Sequence, residues 1–168
     1  MLSFSTIGWI HTVFGLLSLL NGTAVILLPK SNKLGHRFWG YFYFFCMVAT
    51  NVTSLAMYQL NGRFNMFHWF ALFSLLTLIL GMLPLFRSRI NNPFWLPRHA
   101  HFMAGSYVGV VLATAAEITS RVPGWEFGTA VGLTTAVGGI IGFVLIARYT
   151  PQAIANLNPR RRLAASGD

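Results

Sequence analysis

Acidic side chains are nearly missing from this chain. Glu117, Glu126 and Asp168 are the three carboxylates in 168 residues, and no two of them are spaced as a general acid–base pair. Cysteine occurs once, at Cys46, which excludes an intramolecular disulfide and a C-x-x-C redox motif. Its place inside an apolar run reads as a small packing residue. There is no glycine-rich phosphate loop, no H-E-x-x-H and no serine in a nucleophile elbow. Serine and aspartyl hydrolases are therefore excluded. Charge of either sign is scarce too, at 9% of residues, against about a quarter in a soluble domain.

What fills the chain is apolar, 55% by residue. Long runs extend over Phe4–Leu28, Phe38–Leu60, Phe64–Phe86, Phe102–Thr119 and Phe127–Tyr149. Membrane helices need about 20 such residues. The expected fold is an all-α integral membrane bundle of five transmembrane helices. It occupies residues 1–150 as one domain, with a basic cytoplasmic tail over 151–168. The first run lacks the basic start and the small-residue cleavage site of a signal peptide, and reads as retained.

The formal charge of +9 is distributed by connection. Lys30, Lys33, Arg37, Arg87, Arg89, Arg98, Arg148 and Arg160 to Arg162 fall on one side, and Arg63 and Arg121 on the other. This asymmetry predicts an outside N-terminus and an inside C-terminus. It also argues against nucleic acid as a partner, since the basic groups share no soluble face. The tail suits anionic membrane lipid instead.

Lipid satisfies no polar group, so small and polar residues mark the faces turned toward protein. Span one carries Gly8, His11, Gly15, Ser18 and Gly22 at helical spacing. Span two carries His36, Gly40, Tyr43, Met47, Asn51, Ser54 and Tyr58. In span three, His68 lies on a different face from Ser74, Thr77 and Gly81. Span five offers Gly128, Gly132, Thr135, Gly139 and Gly142, a stripe that predicts close helix packing. In span four, "RHAHFM" sets two histidines side by side. At 100° per residue, His99 shares a face with Met103, Ser106, Ala113 and Glu117, and His101 points about 200° away.

Four histidines each sit near the N-terminal end of a span. Alternating topology places His11 with His68 in an outer layer and His36 with His99 in an inner one. The positive end of a helix dipole disfavours imidazolium, and neutral imidazole is the ligating form. Glu117, near the outer end of span four, is an ionisable group inside a span and a functional candidate by default. Arg121, four residues on, is its ordinary ion-pair partner. With His11 and His68 it would also make a two-histidine, one-carboxylate set suited to a zinc or non-haem iron ion.

The chain resembles a family of small bacterial predicted membrane proteins of unknown function. The resemblance covers nearly all five spans. It rests on His11 followed by Gly15, "HRFWG" from His36, "FHWFALFSLLTLILG" around His68, "HAHFM" from His99 and "SYVGVVLATAAE" ending at Glu117. The family pattern has one histidine four before the methionine, matching His99 and leaving His101 as an extra. It implies a multi-pass protein of the bacterial inner membrane and carries no activity. By architecture the chain is also similar to small dihaem b-type cytochromes, which hold each haem between histidines on alternate helices. That likeness implies haem b ligated by His11 with His68 and by His36 with His99, and electron transfer with a quinone or other redox partner. His99 and Glu117 are about 27 Å apart along the helix, a layer spacing that suits two separate sites. A zinc or iron protein using His11, His68 and Glu117, and a cofactor-free scaffold or transporter, are the competing expectations.

Overall fold

The computed structural model describes residues 5–28, 32–58, 62–87 and 94–157. Lys30, Arg89 and the tail arginines Arg160 to Arg162 lie outside the described residues. Five helices follow in order: α1 (Thr6–Leu27), α2 (Lys33–Leu55), α3 (Met66–Arg87), α4 (Trp95–Thr119) and α5 (Phe127–Ala155). No strand occurs among the described residues.

Local chemistry sets the helix ends. Ser5 accepts a hydrogen bond from the Gly8 N–H (3.1 Å) and starts α1. Asn32 accepts from the Gly35 N–H (2.9 Å) and starts α2 at Lys33, several residues before the apolar run begins. Such side-chain acceptors satisfy N–H groups that a first turn leaves open. Helix α4 begins at Trp95 rather than Phe102, so "RHAH" lies within its first two turns. Pro97 is compatible with that start, because a first-turn residue needs no intrahelical N–H partner. Helix α5 runs through Pro151 to Ala155, and the segment expected as tail thus begins as helix.

Four of the five helices, α1, α3, α4 and α5, are long and apolar enough to cross a membrane. Helix α2 falls short of that measure. Trp39, Tyr41, Tyr43 and Asn51, together with its threonines, lower the average of even its uncharged stretch, and Tyr43 and Asn51 are buried. Helix α1 packs on α2, α2 on α3, α3 on α4, and α4 closes back on α1. The result is a four-helix ring. Helix α5 packs against α4 from outside.

The centre of the ring is filled. Tyr43 and Met47 of α2, Leu78 of α3 and Val110 of α4 form the buried cluster, with Leu19, Phe44, Met103 and Tyr107 against it. Gly22 lets the rings of Tyr107 and Tyr43 approach α1, where a Cβ would collide with Tyr107. At Gly81 a Cβ would sit 2.8 Å from Met103 Sδ. Helix α5 meets α4 through Gly138 and Gly142, which face Leu112 and Val108. Gly132 and Gly139, expected in that seam, meet nothing. Gly142 of the expected stripe thus lies in the seam, and Gly138 takes the place expected of Gly139.

Polarity is inverted relative to a soluble bundle. Ser18, Asn21, Asn51, His68 and Ser106 are buried, while Leu20, Phe45, Phe73, Ile140 and Phe143 are exposed. Asn51 donates to Ser74 Oγ across α2 and α3 (3.1 Å). Trp9, Trp69 and Trp125 are exposed near one end of the bundle, the distribution of an interfacial aromatic belt. Apolar outside and paired polar groups inside are what a lipid solvent demands.

Candidate functional site

Histidines mark both ends of the ring. At the end where α1 and α3 begin, His11 Nδ1 lies 3.1 Å from the Thr50 carbonyl and 3.1 Å from Thr53 Oγ1, both on α2. Thr53 gives its own hydroxyl proton to backbone carbonyls of α2. A proton on His11 Nδ1 therefore satisfies both contacts, and Nε2 becomes the basic nitrogen. Thr50 and Thr53 were not singled out in the sequence. The signal was their position beside Asn51 and Ser54 on the inward side of α2.

His68 is held differently. Asn65 precedes α3, and its Oδ1 accepts the Phe67 N–H (2.9 Å) while its own backbone N–H donates to His68 Nδ1 (3.2 Å). This is a capping box with histidine in the place usually held by glutamate or glutamine. Nδ1 also lies 3.1 Å from Asn65 Oδ1. The imidazole is 1% exposed, with the rings of Tyr58 and Phe64 each 4.7 Å away. Its Nε2 is buried and has no hydrogen-bond partner among the described residues.

At the opposite end, His99 Nδ1 donates to the Gly81 carbonyl of α3 at 2.8 Å. Pro84, inside α3, lacks the N–H that would reach the Leu80 carbonyl, so the helix lacks one hydrogen bond just where Gly81 meets His99. His36 is half-buried in the first turns of α2 at this same end. His101 is exposed and bonds back to Pro97 of its own helix (2.8 Å). The two histidines of "RHAHFM" thus differ as their angular separation requires.

The ring sets His11 and His68 on opposite helices, and His36 and His99 on the other opposite pair. Each pair shares one end. The His11, His68 and Glu117 set is not assembled. Glu117 accepts from Arg121 Nη2 at 2.7 Å, with the two side chains 45% and 51% exposed. Among the described residues no group of three histidine, cysteine, aspartate or glutamate side chains could hold a metal ion. The physical reason is the four-residue spacing, which offers Glu117 a cation on its own helix.

Between the ends, hydroxyls join the helices. Tyr43 OH and Ser106 Oγ are 2.9 Å apart, linking α2 to α4. Tyr107 OH meets Thr23 Oγ1 at 2.6 Å, linking α4 to α1. Tyr107 opens, with Ser106, the "SYVGVVLATAAE" stretch, but spacing gave it no inward assignment.

A polar-seamed, all-helical bundle with an apolar exterior is an integral, multi-pass membrane protein. The family model described as "Predicted membrane protein (DUF2306)" matches residues 8–150, and the chain belongs to that family. No curated protein and no solved structure matches it.

Proposed function

We propose that this membrane protein is an electron carrier holding haem b through histidines at the two ends of its four-helix ring, His11 with His68 and His36 with His99. Helix α2 completes five spans in this reading, with the N-terminus outside and the C-terminus inside the bacterial inner membrane. One observation carries the proposal. His99 donates through Nδ1 to a carbonyl of the neighbouring helix, the arrangement that fixes ring orientation and makes Nε2 basic in ligating histidines. His11 repeats it at the other end.

The donor chemistry suits haem iron, which neutral imidazoles bind on opposing helices of a bundle. His68 suits it least, because its backbone contact favours the proton on Nε2. Ligation there needs the other tautomer, with Nδ1–H donating to Asn65 Oδ1. A bound haem would supply one-electron chemistry. The chain would orient the imidazoles and exclude water around them.

A second reading is a cofactor-free scaffold in which the histidines only tie and cap helices. The filled centre of the ring and the capping role of His68 favour it. Absorbance of the purified protein separates the two. A Soret band that shifts on dithionite reduction supports the carrier, and a colourless folded protein supports the scaffold.

A further inference from the structure

Helices α3 and α5 both pack on α4 and touch one another through the rings of Phe67 and Phe127 (centroids 5.9 Å), and a cleft of about 160 Å³ lies between them beside α4. Phe70 and Phe73 of α3 form one wall, and Gly105 and Gly109 of α4 form the floor. A Cβ added at either glycine would meet nothing within 4 Å. The floor is open space, not a helix contact.

Ser74, Thr77 and Thr135 are among the residues that line the cleft, whose surface is otherwise mostly apolar. Thr77 donates to the Ser74 carbonyl and Thr135 to the Val131 carbonyl, each at 2.7–2.8 Å. Ser74 Oγ accepts from Asn51. With those protons committed to their own helices, the threonine hydroxyls are satisfied as donors and keep only acceptor capacity for a ligand. A second groove, between α4 and α5, contrasts with it. It measures about 490 Å³ and presents only apolar surface, as an acyl chain would require.

We propose that the α3–α4–α5 cleft binds the ring of a membrane-soluble quinone. The size suits one six-membered ring, since an apolar protein cavity of roughly 150 Å³ holds benzene. The phenylalanines offer faces for stacking, and the hydroxyl oxygens match the two O–H donors of a hydroquinone. An acyl chain satisfies none of those oxygens. Height along the bundle fits a redox partner. Ser74 lies six residues from His68 and Ser106 seven from His99, about 9 and 10 Å along their helices. A ring in this cleft stands between the two histidine layers. Its role as electron partner rests on the haem reading, whereas its occupancy rests on the cleft alone.

The test is photolabelling of the full chain in phosphatidylcholine vesicles with an azidoquinone, beside a diazirine-tailed phosphatidylcholine. The azidoquinone should label peptides of α3 and α5 facing the cleft, and excess unlabelled quinone should compete. Gly109→Leu and, from another helix, Thr135→Leu should each lower that labelling at least ~tenfold, equal to about 1.4 kcal/mol of affinity. Gly40→Leu, on an open face of α2, should leave it unchanged. Both fillers are scored as monodisperse folded protein. Quinone labelling that follows the lipid probe over all exposed faces, or that survives both fillers, overturns the proposal. Loss of the Soret band with labelling intact would instead count against the haem reading alone.

Discussion

His99 Nδ1 and the Gly81 carbonyl, 2.8 Å apart, tie α4 to α3, while His101, two residues later, bonds only to its own helix. Replacing His99 by alanine removes the cross-helix donor at a half-buried position. It should destabilise the protein by about 1–3 kcal/mol. His101→Ala should stay within about 0.5 kcal/mol, as surface changes do. Reversible unfolding in mixed micelles measures both. The reverse order would refute the inward assignment of His99.

Gly22 faces the Tyr107 ring so closely that a side chain cannot be added without moving it. Gly22→Ala should cost about 1–3 kcal/mol, as overpacking does, and should disturb the 2.6 Å contact between Thr23 and Tyr107. Gly40→Ala has open space around it and should be neutral. The Gly22 penalty should shrink in a Tyr107→Ala background. A full penalty there would place its cause elsewhere than the ring.

Outside the spans, Glu126 caps α5. The Gly128 N–H, then the Thr129 N–H and hydroxyl, hold its carboxyl below the ordinary value of 4.5. A lowered folded-state pKa stabilises the fold above the ordinary value. That contribution disappears as pH falls through the lower folded one. Glu126→Gln should therefore lower stability at neutral pH and flatten its acid dependence below about 4.5. Equal acid slopes in the two proteins would show that the cap contributes nothing.

Topology is open to direct chemistry. In a Cys46→Ser background, Val122→Cys in the α4–α5 connection should react with an impermeant maleimide on intact cells, and Ala164→Cys should not. The basic asymmetry requires that pattern. Labelling of position 164 from outside would reverse the orientation and the names of the two layers.

Much of this arrangement was legible in the sequence. Helical spacing alone separated His99 from His101, and the four-residue step foretold the Glu117–Arg121 pair. The apolar runs located every helix, but not each helix start. Asn32 and Ser5 set two of those starts through hydrogen bonds that hydropathy does not report. The capping role of His68 depends on how Asn65 folds back, which residue spacing leaves open. In the seam between α4 and α5 the expected Gly142 packs on Val108, while Gly138 rather than Gly139 meets Leu112, because a glycine stripe has two neighbouring faces and only packing selects one. Helix α2 carries no charge after Phe38, yet Trp39, Tyr41, Tyr43 and Asn51 keep it less apolar than the other four.

Whether these histidines hold haem is read from the haem-to-protein ratio of purified, monodisperse protein from haem-replete cells. Two haems b per chain are expected, falling to one in His99→Ala and in His36→Ala and staying at two in Glu117→Gln. A folded wild-type protein with no Soret absorbance, before and after dithionite, would contradict it.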